Sequence, residues 1–230
     1  MQKPLTICLV TANRPDTFKQ ALLSVKNLNY QNFELIVADD SNNDATEIIT
    51  KEIYPQARYY RNNPPLREIL NSNKAINSAK SDIVCLFHDD DTFESSYFDE
   101  LLPLMQKDPT IDLAYTGRVM VDEHDKEITK QIILDHEKYC YHSATDILDV
   151  MVLGKEYDHY KVEINTPGLV FRKKIFEKMG GLDATITTHC DTDFLLRILA
   201  VSDKVLFVNK LLYISKIWYG SSGRTKSSET

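Results

Sequence analysis

The stretch Ser81-Asp82-Ile83-Val84-Cys85-Leu86-Phe87-His88-Asp89-Asp90-Asp91-Thr92-Phe93 decides how this chain folds. Ile83 to Phe87 is a short apolar run, the pattern of a strand buried on both faces of a parallel sheet. It runs straight into three carboxylates. Burying three like charges together is prohibitively costly, so they are expected where the strand leaves the sheet. Open α/β sheets bind ligands at that carboxyl edge. Adjacent aspartates there offer hard oxygen donors on both sides of the backbone, a set that suits Mg²⁺ or Mn²⁺ carrying a phosphate. The same residues also read as a solvated acidic turn that starts the next helix.

Outward from this stretch, the first half alternates strands with helices. Leu5 to Val10 and Phe33 to Ala38 are apolar strands, and Arg58 to Arg61 is a brief third. Between them, Phe18, Ala21, Leu22, Val25 and Leu28 recur at helical spacing behind Pro15, a good first helical residue. A short helix runs through Ile48, Ile49 and Ile53. Asn62-Asn63-Pro64-Pro65 punctuates a loop before a helix over 66–79. The alternation implies βαβ units and a mainly parallel sheet with helices on both faces.

The second half changes character. A helix starting at Ser95 is expected to break or kink near Pro103. Leu113 to Val121 and Glu127 to Leu134 suggest an antiparallel hairpin around the charged run 122–125. Ser143 is a candidate N-cap for a helix through Met151. A strand over 165–171, a helix over 173–179 stopped by Gly180-Gly181, and a helix over 191–199 follow. Val205 to Val208 and Leu211 to Ile214 read as two short strands. One α/β domain over 1–219 is expected, with a nucleotide-binding half to about residue 110 and an acceptor-binding half after it. The Ser-, Gly- and Lys-rich end, 220–230, reads as a mobile tail.

Composition narrows the function. The chain has 230 residues, 43% hydrophobic and 27% charged, which is globular. A formal net charge of −7 argues against non-specific nucleic-acid binding. Cys8, Cys85, Cys140 and Cys190 are widely spaced and form no CxxC pair, so four reduced thiols in the cytoplasm is the simpler reading. No stretch is long and apolar enough to suggest a membrane span.

Three strand-to-loop junctions line up on one edge of the expected sheet: Thr11-Ala12-Asn13-Arg14, Asp39-Asp40-Ser41 and His88-Asp89-Asp90-Asp91. A cation at the third would neutralise a diphosphate, and carboxylates at the second would accept hydrogen bonds from a base or ribose. Taken singly, Asp39-Asp40 reads equally as helix capping and Thr11 to Arg14 as an ordinary capped turn. Their joint placement favours a site.

Thr11-Ala12-Asn13-Arg14-Pro15, Val37-Ala38-Asp39-Asp40-Ser41, Asn73-Lys74-Ala75 and Phe87-His88-Asp89-Asp90-Asp91 together resemble the family 2 glycosyltransferases of the GT-A fold. The resemblance continues through Gly180-Gly181-Leu182-Asp183 and Cys190-Asp191-Thr192-Asp193-Phe194-Leu195-Leu196-Arg197, in order from Leu5 to about Tyr219. It implies transfer of a sugar from a nucleotide-diphosphate donor, such as a UDP-sugar, with inversion at the anomeric carbon. Mn²⁺ or Mg²⁺ is the implied cofactor, and a carbohydrate or glycolipid the implied acceptor, met at the inner face of a membrane where the acceptor is lipid-borne. Surface polysaccharide or glycoconjugate synthesis is the implied setting.

Position by position, Thr11, Arg14 and Asp40 match places near the nucleotide base, with Asn13, Asp39 and Asn73 on the same donor side. Asp89 and Asp91 resemble the ends of a DxD motif, the first toward the ribose and the last toward the metal, with Asp90 able to exchange roles with either. Asp191 matches the catalytic base. Cys190 stands where the family's preceding Glu would be, a departure that bears on acceptor binding. Arg67 approaches the diphosphate or makes a surface ion pair.

The chemistry agrees with that resemblance, because inversion in one displacement needs a base for the acceptor proton and a cation for the departing diphosphate. His189 is a rival base, and His88 reads as a strand-end residue. Trp218 and Tyr219 are candidates for an acceptor-side lid hinged at Gly220 and Gly223, with a frayed terminus as the alternative. A sugar-nucleotide nucleotidyltransferase is the rival activity, but Thr11 to Asp16 lacks the glycine-rich basic loop it would use. A non-catalytic nucleotide-sugar binding protein on the same fold is the other.

Overall fold

Seven consecutive residues, Leu5–Thr11, form strand β1, and every one of them is buried. A strand buried on both faces must carry apolar side chains in both directions, and this one does. Leu5, Ile7 and Leu9 enter one apolar cluster, while Cys8 and Val10 enter a second on the other face. The computed structural model describes residues 3–132, 137–153, 164, 166, 168–186 and 189–217. In chain order the elements are β1, α1 (Pro15–Lys26), β2 (Phe33–Asp39), α2 (Ala45–Ile53), β3 (Arg58–Arg61), α3 (Glu68–Ser78), β4 (Ile83–His88) and β5 (Thr92–Phe93). They continue with α4 (Tyr97–Lys107), β6 (Ile111–Val121), β7 (Glu127–Gln131), β8 (Tyr139–Ser143), α5 (Ala144–Leu153), β9 (Val170–Arg172), α6 (Lys173–Lys178), α7 (Cys190–Val201) and β10 (Lys204–Lys216).

The sheet order is β3-β2-β1-β4-β9-β6-β10-β5, with β7 added to β6 and β8 to β10. The strands β3, β2, β1 and β4 are parallel, and β10 is parallel to β6. Antiparallel β9 joins the two groups by pairing with both β4 and β6. Helices α1 and α4 cover one face through Phe18, Leu22, Val25, Phe98, Leu101 and Met105. On the other face, α3, α6 and α7 bury Ala75, Ile76, Phe176, Phe194 and Ile198. This is the expected α/β architecture with a smaller antiparallel element in the second half.

Several second-half expectations change in detail. The two short strands expected over 205–214 are one strand, β10, whose register with β6 shifts between Val208 and Leu211 and again between Leu211 and Tyr213. Such irregularities break the period of two, so the sequence reads as two pieces. Of the strand expected over 165–171, the described residues form strand at Val170–Arg172, and β5 and β8 were not anticipated, being too short or too polar to show a pattern. Helix α4 starts at Tyr97 and runs unbroken through Pro103. Tyr97, Phe98, Leu101, Leu102 and Met105 are all buried along it, and that packing outweighs the hydrogen bond a proline cannot make. The expected strand end at Leu134, the mobile tail 220–230 and the lid residues Trp218 and Tyr219 lie outside the described residues.

An aromatic group holds the end of β10 over the end of β4. Phe93 stacks on Phe87 at 4.0 Å between centroids, with Tyr97, Phe98 and Tyr213 packed around it. Gly168 lies beneath Tyr213 at φ +77°, where a Cβ would sit 2.5 Å from the ring, so only glycine fits there. Among the described residues no helix is long and apolar enough to cross a membrane.

Glu100 on α4 ties down the far side of β10. It accepts from Lys210 Nζ at 2.6 Å and from Tyr139 OH at 2.9 Å, and pairs with Lys138 at 2.8 Å. Burial alone would raise the Glu100 carboxyl, but hydrogen bonds from Lys138, Lys210 and Tyr139 outweigh it and lower it from 4.5 to about 2. A depressed carboxylate contributes stability above its unfolded value that is lost as pH falls through the folded one. Thermal melts between pH 6 and pH 3 are therefore expected to show a decline in the wild type below about pH 4.5 that is flatter in Glu100→Gln. Parallel curves for the two proteins would remove Glu100 from the account.

Candidate active site

The registers Thr11↔Asp39 and Val10↔His88 bring the carboxyl ends of β1, β2 and β4 to one level. All three acidic or polar junctions therefore share one edge, as expected. Thr11 Oγ1 donates to Asp89 Oδ2 at 2.6 Å. Arg14 spans two carboxylates, Nη2 to Asp89 Oδ1 and Nη1 to Asp90 Oδ2, each at 2.7 Å. Asn13 closes the turn against the second junction: its backbone N–H donates to Ser41 Oγ at 2.8 Å, and its Oδ1 accepts from Asn42 N–H at 3.0 Å.

Asp89 and Asp91 are 0% and 3% exposed, so their charges are held out of water. Burial raises the Asp89 carboxyl to about 6 despite Arg14 and Thr11. Burial and the neighbouring Asp90 raise Asp91 to about 6, against hydrogen bonds that favour its charge. Those bonds come from the second half of the chain, from Tyr213 OH to Asp91 Oδ2 and from Lys216 N–H to Oδ1 at 3.0 Å. Burial works against the Arg14 charge, but Asp89 and Asp90, helped by Glu68, raise its pKa.

Three successive carboxylates, of which Asp89 and Asp90 share the Arg14 guanidinium, leave an excess of negative charge, of the sign and donor type that a divalent cation relieves. Mg²⁺ is commonly held by one or two carboxylates plus substrate phosphates, so three protein ligands are not required. No group of three or more His, Cys, Asp or Glu side chains disposed around a metal position exists among the described residues. Asp91 uses each of its oxygens once, and Asp90 spends one oxygen on Arg14, which leaves lone pairs on both. Asp89 is committed to Thr11 and Arg14. The donor set fits the cation through Asp91 and Asp90 more openly than through Asp89.

The two aspartates that end β2 differ in what they have left to offer. Asp39 Oδ1 accepts from Ser41 N–H at 2.8 Å and Oδ2 from Tyr59 OH at 2.7 Å, so both its oxygens serve the fold. Asp40 Oδ1 accepts from Asn62 Nδ2 at 2.6 Å, whereas its Oδ2 is buried without a partner. Asn62, Asn71 and Tyr213 were not singled out as site residues from the sequence, and Lys74 appeared only inside the Asn73-Lys74-Ala75 motif, with no role of its own. Asn62 was read as loop punctuation only, and nothing local marks Tyr213.

Asn73, expected on the donor side, is engaged elsewhere. Its amide makes a two-way clamp on Leu182, Nδ2 to the carbonyl at 2.8 Å and Oδ1 from the N–H at 2.9 Å. A Cβ on Gly181, at φ +81°, would press to 3.0 Å from Asn73 Oδ1, which is why a glycine precedes the clamp. Arg197 on α7 donates to the carbonyls of Met179 and Gly181, at 3.2 and 2.8 Å. Helix α7 is thus fixed to α3 through this loop. Asp191 stands exposed in the first turn of α7, its Oδ1 accepting from Thr192 N–H at 2.8 Å. Burial, then Glu68 and Asp191, raise the neighbouring Cys190 thiol. Glu68, in the first turn of α3, is close enough to act on the charge of both Arg14 and Cys190. His189 precedes α7 in a left-handed conformation, and Arg67 does so for α3, both exposed.

Comparison with known proteins places this geometry. An uncharacterized glycosyltransferase of Haemophilus influenzae is 24% identical over 197 residues, covering 85% of this chain and 62% of that protein. The GalNAc(5)-diNAcBac-PP-undecaprenol beta-1,3-glucosyltransferase of Campylobacter jejuni is 24% identical over 147 residues, 56% of this chain and 47% of that one. The chain thus spans under two thirds of either relative. Among solved structures, S. aureus TarS 1–349 in complex with UDP-GlcNAc superposes with a TM-score of 0.71 at 14% identity, over 98% of this chain and 62% of that one. The same protein in complex with UDP gives 0.73, over 94% and 61%. At that identity the likeness is one of fold. The model of glycosyl transferase family 2 matches residues 6–180, which include Thr11, Asp40 and Asp89 to Asp91 with their surrounding strands, and the chain belongs to that family.

Proposed function

We propose that the chain transfers a sugar from a UDP-sugar to an acceptor hydroxyl, with inversion and with Mn²⁺ or Mg²⁺ at the acidic turn. Asp40 Oδ2 carries this reading: it is a buried carboxylate oxygen with no partner at the ligand edge of a family 2 glycosyltransferase domain. Leaving a buried acceptor unmet costs about 1–3 kcal/mol, and a uracil N3–H supplies the missing donor. The UDP and UDP-GlcNAc held by TarS support a uridine nucleotide here. The lipid-linked glycan in the name of the Campylobacter relative supports a carbohydrate or glycolipid acceptor, reached at a membrane surface.

The residues then divide the work. Asp89 and Asp90 pin Arg14, which keeps its positive charge on the donor side of the site. Asp91, with Asp90 beside it, would hold the cation, which supplies positive charge against the departing diphosphate. Asp191 accepts the proton of the acceptor hydroxyl while the acceptor oxygen bonds to the anomeric carbon and the bond from that carbon to the diphosphate breaks. Its exposed place in the first turn of α7 leaves room for the acceptor.

Two measurements test these roles. In calorimetric titrations with UDP, wild-type affinity is expected to fall roughly tenfold or more when EDTA replaces Mn²⁺, the effect of losing one charge-assisted contact. Asp91→Asn in Mn²⁺ is expected to resemble the wild type in EDTA. Equal affinities throughout would discard the cation at this turn. For Asp191→Asn, UDP affinity is expected to hold while sugar transfer drops by roughly 10²-fold or more. If His189→Ala abolishes transfer and Asp191→Asn does not, the base is His189.

A further inference from the structure

Asp40 is 5% exposed and has one of its two oxygens filled by Asn62. That filling is itself locked from two sides. Asn71 Nδ2 donates to the Ala38 carbonyl at 2.9 Å, so Asn71 must present its Oδ1 to Asn62. Asn62 Nδ2 meets that oxygen at 2.8 Å and Asp40 Oδ1 at 2.6 Å, which uses both of its amide hydrogens. Lys74 Nζ donates to Asn62 Oδ1 at 2.5 Å and sits 4.6 Å from the centre of the Tyr60 ring. An ammonium only donates, so a flipped Asn62 amide would set N–H against N–H at one end and oxygen against two acceptors at the other. Asn71 and Lys74, three residues apart, share a face of α3.

The lock changes what Asp40 can recognise. A carboxylate with both oxygens free takes two parallel N–H groups side by side. The guanine edge, with N1–H beside its exocyclic amino group, offers such a pair. Uracil offers one N3–H between two carbonyls. With Oδ1 filled, Asp40 has a single acceptor left. We propose that Asn62, held by Asn71 and Lys74, is a specificity-determining residue that leaves Asp40 one free oxygen, selecting uracil over guanine nucleotides. This rests on the assignment of Asp40 to the nucleotide base. A guanine bound there would bury an unmet N–H, which weakens binding by roughly tenfold or more.

The test is a set of calorimetric titrations with UDP and GDP in Mn²⁺. The wild type is expected to prefer UDP by roughly tenfold or more. Asn62→Ala frees Oδ1 and is expected to bring the two affinities close together. Lys74 is exposed, so Lys74→Met retains the fold and carries the test if Asn62→Ala does not fold. It is expected to lower the UDP-to-GDP ratio, and Lys74→Arg to restore it. A purely structural role would lower stability and leave that ratio alone. An unchanged ratio in both variants, or equal wild-type affinities for UDP and GDP, overturns the proposal while leaving the base assignment standing. If Asp40→Asn leaves UDP affinity untouched, the base assignment fails and takes this proposal with it.

Discussion

Three successive carboxylates at the buried end of β4 are the constraint on which the rest of this structure depends. A desolvated charge without a partner costs several kcal/mol, far more than a small domain can spare. The fold meets that cost from both halves of the chain. Thr11 and Arg14 reach Asp89 and Asp90 from the β1–α1 turn. Tyr213 and the Lys216 N–H reach Asp91 from the end of β10. The aromatic group around Phe93 brings Tyr213 within reach. The compensation is incomplete, since burial still raises Asp89 and Asp91 to about 6. That residual imbalance is the one that the proposed cation would relieve.

The end of β2 shows the same economy in smaller form. Asp39 and Asp40 are adjacent and both buried, yet only Asp39 has both oxygens satisfied. A fold selected for stability alone would have given Asp40 a second donor. Instead Asn62, Asn71 and Lys74 form a polar network that fills one oxygen and leaves the other. Buried polar networks hold their geometry firmly once each member is satisfied. The open acceptor is therefore presented in one orientation, on rigid strands.

The two halves differ in how readily they show in sequence. Strands β1, β2 and β4 are buried on both faces, so each reads as an unbroken apolar run, and helices α1 and α3 keep a clear helical period. Strand β10 carries three register shifts against β6 and pairs with three other strands along its length, so no single period describes it. Strands β5 and β9, at two and three residues, are too short for a pattern. Asn73 shows the same limit among site residues. Its place in a motif pointed to the donor, whereas its amide is spent joining α3 to Leu182.

By itself, the sequence determined the parallel half of the sheet and the edge on which the polar junctions meet. Apolar runs ending in Thr11, Asp39 and Asp89 cannot place those groups anywhere but where the strands emerge, since burying them unpaired is too costly. It also marked Asp191 at a helix start. Only the tertiary structure decided which carboxylates are spent and which remain open. Arg14 closing on Asp89 and Asp90, Tyr213 on Asp91, and Asn62 on one oxygen of Asp40 join residues from 22 to 122 positions apart. Such pairings follow from how strands and helices pack, and no local period or spacing in a single chain encodes them.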